Sequence, residues 1–352
     1  SETINDCDTA NMKNVTIKDI ALRAGVALST VSAVLNGKTR ESRISEQLAD
    51  RVRGIATDMG YEPNQTAVAL RTGKTRVLGL IVEDISNVFF ASLAKIIEEE
   101  ADNIGYKVLY CSTENNEDKA RERVRMLSQR QVDGFLITPT PGMRTEIERL
   151  SGQQKPLVLM DRYFPGLAVP HVVVDNYNGA LLAMQHLLAK GYQRIAYVTI
   201  QLDQVQMHQR RKAYDDSLRD AGLPVDEALV LPLSYHWKPE ESVQQIRQFI
   251  SNTSGIDAVF FATNYVGVYG LEAIKDLGLW IPSDLAVICF DDHDIFRLYT
   301  PGITIVKQPV DLIAQTAMQL LIRQFEQQPG KLTAGAGFQV LQPAQLVVRS
   351  ST

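Results

Sequence analysis

The chain has 352 residues where an ordinary domain takes ~100 to 200, which excludes a peptide hormone or disulfide mini-scaffold and leaves room for two or more domains with sizeable cores. At 45% hydrophobic and 22% charged, with 22 Gly and 14 Pro, the composition is that of a globular protein rather than a disordered or collagen-like one. The net charge of -5 argues against nucleic acid only until it is divided along the chain: residues 1–12 carry -3, residues 13–76 carry +5 and the remainder -7, and a basic segment ahead of an acidic body is a mark of nucleic-acid contact.

Residues 1–14, SETINDCDTANMKN, are polar where a signal peptide is basic and then apolar, so they are expected to be a poorly ordered arm. The run VTIKDIALRAGVALSTVSAVLNG, residues 15–37, reads as two short helices around a tight turn. Thr16 followed by Asp19 is a capping-box-like start, with the acid in the first turn where the helix dipole favours it. Ile17, Ile20, Ala21 and Ala24 then recur at helical spacing, and Gly25 supplies the left-handed turn. A second helix from about Leu28 buries Val31, Val34 and Leu35 and points short residues outward, a surface that fits a major groove about 12 Å wide. A third helix is expected from the N-cap Ser45 to about Asp58, presenting Leu48, Val52, Ile55 and Met59 to the first two. The segment at 64–71 is too short to be a stable helix alone, since isolated helices under ~12 residues are marginal.

From Val77 onward apolar runs of strand length alternate with amphipathic stretches: VLGLIVE (77–83), KVLYCST (107–113), GFLITPT (134–140), LVLMD (157–161), RIAYVTI (194–200), LVLPL (229–233), AVFFATN (258–264) and LAVICFD (285–291). Such a rhythm predicts parallel sheets covered on both faces, with enough strands for two. Ligands bind beyond the carboxyl ends of such strands. There the chain offers Asp84, Asn87, Phe89 and Phe90, then Asp161 and Arg162, then Asn264, Asp291 and Gln308, with Trp237 after the 229–233 run. Carboxylates, amides, a guanidinium and aromatics suit a polyhydroxylated ring.

Enzymatic readings are weak, because no strand leads into a dinucleotide fingerprint or phosphate loop. Cys7, Cys111 and Cys289 are odd in number and far apart, and the five histidines show no metal-ligand spacing. Asp291, Asp292 and Asp294 around His293 offer a cation at most a weak site, so no metal and no cofactor are expected. No apolar run approaches the ~20 residues of a membrane helix, and a cytoplasmic protein without a membrane partner is expected.

The run AxxxGVxxxTVSxVLNG at 21–37, then Gly60-Tyr61-Glu62-Pro63-Asn64, then Ala67-Val68-Ala69-Leu70-Arg71-Thr72-Gly73 closely resembles the headpiece and hinge of the lac-repressor (LacI/GalR) family. The resemblance covers residues 15 to about 349. It implies a regulator binding a palindromic double-stranded operator as a homodimer, with base edges read from Leu28, Ser29 and Ala33, and with Thr16, Thr30, Ser32 and Asn36 holding phosphates or orienting the headpiece. It implies further that residues 64–71, from Asn64, form a hinge helix whose Leu70 wedges the minor groove. Two departures are Ala27, where a Ser or Thr usually caps the second helix, and a loop at 38–43 about three residues longer than usual, whose Lys38, Arg40 and Arg43 offer replacement phosphate contacts.

For the body the resemblance implies a two-lobed, periplasmic-binding-protein-like fold of type I, and an effector pocket that holds a sugar through Asn87, Phe89, Phe90, Asp161, Arg162, Arg210, Trp237, Asn264, Asp291 and Gln308. Val88 replaces the usual proline of an Asn-Pro-Phe-Phe turn, Arg210 is taken to open the helix containing Tyr214, and Gln204 and Gln206 stand in a loop that departs from the family pattern. Asp175-Asn176 and Gly179 are read as a lobe crossover and helix cap rather than ligand residues.

The expected domains are an arm at 1–14, a helix-turn-helix headpiece at 15–62, a hinge and linker at 63–76, and an effector and dimerisation domain at 77–352, with one lobe at 77–174 and 304–333 and the other at 175–303 and 334–352. No terminal heptad repeat is present, so a dimer is expected rather than a tetramer. The alternatives are a stand-alone sugar-binding protein, which the headpiece opposes, and a purine-responsive regulator, which Asp161-Arg162 and Trp237 disfavour. Whether the effector releases or recruits the operator is left open.

Overall fold

In the computed structural model, which describes residues 15–63, 65–326 and 339–352, the chain falls into two units, Ser1–Thr75 and Arg76–Thr352. The expectations for the arm at 1–14, for Asn64 and for the stretch 327–338 lie outside the described residues.

The first unit is built by local signals. Helix α1 (Ile17–Ala24) starts where the Asp19 carboxylate accepts from the backbone N–H of Thr16 at 2.8 Å and from its hydroxyl at 2.7 Å. It stops at Gly25, whose φ of 64° turns the chain into α2 (Leu28–Leu35). Ala27 caps α2 with no side-chain hydrogen bond. In α3 (Glu46–Asp58) the Ser45 hydroxyl accepts from the N–H of Leu48. Ile20, Ala24, Val31, Val34, Ala49 and Val52 form the small core between them, and Arg51 donates to the Ala24 carbonyl at the end of α1. A fourth helix, α4 (Gln65–Thr72), is held by more than its own turns, since Arg71 Nη2 donates to Asn36 Oδ1 at 2.6 Å.

The second unit runs β1 (Val77–Val82), α5 (Val88–Asn103), β2 (Lys107–Ser112), α6 (Glu117–Gln129), β3 (Gly134–Ile137), α7 (Arg144–Gly152), β4 (Leu157–Met160), β5 (His171–Val174) and α8 (Asn176–Ala189). It continues through β6 (Ile195–Ile200), α9 (Val205–Asp220), β7 (Val230–Leu233), α10 (Pro239–Asn252), β8 (Ala258–Phe261), α11 (Asn264–Asp276), β9 (Ala286–Phe290) and α12 (Asp294–Leu298), then β10 (Thr304–Lys307), α13 (Val310–Glu326), β11 (Gln339–Gln342) and β12 (Gln345–Val347). Two sheets result, ordered β11-β5-β4-β3-β1-β2 and β12-β10-β9-β8-β6-β7. Every pairing is parallel except β10 with β12. Each central strand is buried on both faces, as parallel sheets between helices require.

The expected lobe boundaries need correction near the C-terminus. Thr304–Lys307 stays in the second sheet because it pairs with β9, while β11 returns to the first sheet beside β5 and β12 goes back to the second. Helix α13 belongs to the first lobe, where Ile313, Ala317, Met318 and Leu321 share a core with Leu80, Leu93 and Val158. Strands β5, β10, β11 and β12 are not among the expected runs. At the first crossover Asp175 caps α8, accepting from the N–H of Asn178 at 3.0 Å.

Candidate functional site

The carboxyl ends of β1, β4, β6, β8, β9 and β10 converge between the lobes. Asp161 follows β4 and Asp291 follows β9, both with left-handed backbone, φ 65° and 75°. Such a conformation costs a non-glycine residue roughly 1 to 3 kcal/mol and collects at functional sites. Both carboxyls are held above the usual carboxylate range by burial, which outweighs the opposing pull of Arg162 and Arg210 on Asp161 and of Arg210 on Asp291.

Arg162 spends its guanidinium on three partners: Nε donates to Asp161 Oδ2 at 3.1 Å, Nη1 to Asn115 Oδ1 at 2.9 Å, and Nη2 to Glu83. Arg210 lies 3.6 Å from the Phe290 ring centroid and donates from Nε to Asn176 Oδ1 at 2.9 Å and from Nη1 to the Ala262 carbonyl at 2.6 Å. Its Nη1 is also 3.6 Å from Asp291 Oδ2. Gln308 Nε2 donates to Asp291 Oδ1, and Gln206 Nε2 to Gln204 Oε1 at 2.8 Å. Buried polar atoms are normally paired, yet among the described residues Gln206 Oε1, Gln308 Oε1, the Thr263 hydroxyl and Asn115 Nδ2 have no hydrogen-bond partner.

Asp161, Arg162, Gln204, Gln206, Arg210, Asp291 and Gln308 line an inner chamber of about 40 Å³. It shares Glu83, Asn87, Asn264 and Tyr265 with an outer cleft of about 670 Å³ that is also lined by Asp84, Glu114, Tyr235, His236 and Tyr269. Hydrogen bonds join the lobes here: Asn264 Nδ2 donates to Asn87 Oδ1 at 3.1 Å, Gln204 Nε2 to Asn115 Oδ1 at 3.1 Å, and the Tyr235 hydroxyl to Glu83.

Of the ten expected effector residues, Asn87, Phe89, Phe90, Asp161, Arg162, Arg210, Asn264, Asp291 and Gln308 line the inner chamber. Trp237 lines neither chamber. It sits 39% exposed in the loop after β7, an edge strand, and that loop reaches the outer cleft only through Tyr235 and His236. Arg210 is not at the start of its helix, which begins at Val205. Sequence reasoning missed Glu83, the last residue of an apolar run; only its pairing with Arg162 reveals it. Gln204 and Gln206, flagged there as departures, are buried chamber residues. Near His293 no cation cage forms: His293 Nδ1 caps α12, accepting from the N–H of Ile295, and among the described residues no group of three or more His, Cys, Asp or Glu is placed to hold a metal ion.

On the headpiece, Leu28 and Ser29 are exposed on α2 and Thr30, Ser32 and Ala33 are half-buried. Thr16 is occupied at the α1 cap, and Asn36 donates to the Ser32 carbonyl at 2.6 Å while accepting from Arg71. Leu70 is 82% exposed on α4.

A helix-turn-helix unit joined to a two-lobed body with a polar cleft defines a DNA-binding regulator with a small-molecule site. Residues 16–64 match the model of bacterial regulatory proteins of the lacI family, and residues 184–352 that of a periplasmic binding protein-like domain. The HTH-type transcriptional regulator DegA of Bacillus subtilis (strain 168) is 30% identical over 340 residues, 96% of this chain and 98% of its own. The ribose operon repressor of Halalkalibacterium halodurans is 30% identical over 337 residues, 96% and 97% of the two chains. A crystal structure of the lac repressor dimer bound to operator and the anti-inducer ONPF shares the fold, with a TM-score of 0.82 at 23% identity over 97% of this chain and 99% of that one. The chain belongs to the lacI family of bacterial regulatory proteins. Among the described residues no helix is long and apolar enough to cross a membrane.

Proposed function

We propose that the protein is a dimeric transcriptional repressor of the cytoplasm, without enzymatic activity, that binds a palindromic operator and changes its affinity when an uncharged, hydroxyl-rich small molecule, a sugar or sugar derivative, occupies the cleft. The observation that carries the effector class is the pair of unpartnered acceptors, Gln206 Oε1 and Gln308 Oε1, in a chamber whose guanidiniums are already engaged. A ligand entering there meets these two acceptors, the Thr263 hydroxyl and the Asn115 amide N–H, all in need of partners that can both donate and accept, beside the carboxylates of Glu83, Asp161 and Asp291. Hydroxyls satisfy them; phosphate or carboxylate groups add like charge and leave the acceptors unsatisfied, a cost of ~1 to 3 kcal/mol for each buried group. The inner chamber, about 40 Å³, has room for only a few waters at the ~10 to 15 Å³ that each needs, so a sugar ring sits astride it and the outer cleft.

The relatives named as a ribose operon repressor and as the lac repressor agree with this reading. Closure of the lobes on a ligand would act on the segment before Arg76, where an eight-residue helix is short enough for a small displacement to melt it. Thermal shift of the full chain with pentoses, hexoses, their phosphates and hypoxanthine tests the proposal. Stabilisation by a neutral sugar and none by its phosphate is expected; stabilisation by hypoxanthine or by phosphosugars alone would sink it.

A further inference from the structure

We infer that α2 reads its half-site through thymine methyl groups rather than through bidentate hydrogen bonds to purines, with Leu28 at one edge of the reading face and Ala33 at the other. This rests on the DNA-binding role above and adds the chemistry of what is read. Helix α2 is Leu-Ser-Thr-Val-Ser-Ala-Val-Leu. Val31 and Val34 are buried in the headpiece core. At 3.6 residues per turn, Leu28, Ser32, Ser29 and Ala33 follow one another around about 140° of the circumference.

No side chain of α2 carries a guanidinium, ammonium, amide or carboxylate. Guanine is read bidentately by Arg or Lys, adenine by Asn or Gln, and the cytosine amino group by Asp or Glu, so none of those readings is available to this helix. The nearest amide, Asn36, is turned back to the Ser32 carbonyl and to Arg71. Two serines remain, and a hydroxyl bonds donors and acceptors alike. What the face can discriminate with is apolar: Leu28 is 42% exposed at the first helical position and is not part of the headpiece core. The thymine C5 methyl is the apolar group that the major groove presents.

The test uses the full chain. A preferred operator is selected from random duplexes, and each thymine is then replaced singly by uracil, which lacks only the C5 methyl. The expected result is a loss of about fourfold per contacted methyl, the worth of one buried methylene, at one or two positions of each half-site. Leu28→Ala should erase the preference at one of them, with the headpiece melting as in the parent because Leu28 lies outside its core. A selected operator that binds equally well with uracil throughout, or a thymine preference untouched by Leu28→Ala, would overturn the inference alone. Failure to select any sequence would overturn the DNA-binding reading with it.

Discussion

Asn87 Oδ1 accepts two hydrogen bonds, one from the N–H of Phe89 at 3.0 Å and one from Nδ2 of Asn264 at 3.1 Å. One oxygen therefore caps α5 in the first lobe and ties it to the first residue of α11 in the second. An aspartate keeps both acceptor roles and an alanine keeps neither. Asn87→Ala is expected to lose about 1 to 2 kcal/mol of stability, combining the cap and the bridge, while Asn87→Asp keeps both acceptors and the favour of a helix N-terminus against the like charge of Glu83 beside it, and loses less than the alanine variant. Denaturant titration of the body's transition reads the difference, and equal losses in both variants would refute the shared-acceptor role.

Helix α2 begins at Ala27 in extended conformation, φ -66° and ψ 148°, without a side-chain cap. The backbone is already that of an N-cap, so Ala27→Ser should add about 1 kcal/mol to the headpiece and raise its melting by roughly 4 to 8 °C for a unit of this size. Calorimetry of the full chain would show the headpiece transition move; a fixed transition would mean that water already serves those N–H groups as well.

What the sequence makes legible, and what it hides, follows from the range of the interactions. The caps at Thr16 and Ser45 and the turn at Gly25 act within a few residues, and they lie where residue type alone puts them. The apolar runs became strands because burial on both faces is written into each run. Which sheet a strand joins is not written there. Thr304–Lys307 is four residues long, and pairing with β9 keeps it in the second lobe; only after it does α13 carry the chain across. Glu83 is a similar case, since its partner Arg162 lies 79 residues away. Trp237 has the right chemistry for a sugar, but it is Tyr235 and His236 of the same loop that line the outer cleft, a choice of side chain that the run of aromatics does not spell out.

Arg210 combines a ring contact with Phe290, two hydrogen bonds and an approach to Asp291. An ammonium can serve one or two of these but has no planar fork to serve them together. Arg210→Lys should therefore weaken effector binding at least tenfold, about 1.4 kcal/mol, as read by calorimetric titration, while operator binding without effector is retained. Undiminished effector affinity would show that the fork does not organise the chamber.

His171 is buried, stacked on Tyr163 with centroids 4.4 Å apart, and its Nδ1 lies 3.0 Å from the Val169 carbonyl oxygen. Burial holds its pKa below the ordinary histidine value of about 6.5, so between the folded and unfolded values the unfolded chain binds more protons. Its contribution is fully present above pH 6.5 and is lost as pH falls toward the folded value. Burial lowers His186 in the same way, so His171→Asn should flatten, without abolishing, the decline of melting temperature on acidification from pH 7 to about pH 5. An unchanged slope would assign the decline elsewhere.

The most direct test of the central claim is fluorescence anisotropy of the selected operator with the full chain, titrated with the neutral sugar that gives the largest thermal shift. This sugar should change operator affinity at least tenfold, and Asp291→Asn, which removes the carboxylate facing Arg210 and Gln308, should abolish the change but leave operator binding in place. A sugar that stabilises the protein yet leaves operator affinity unchanged would contradict that claim.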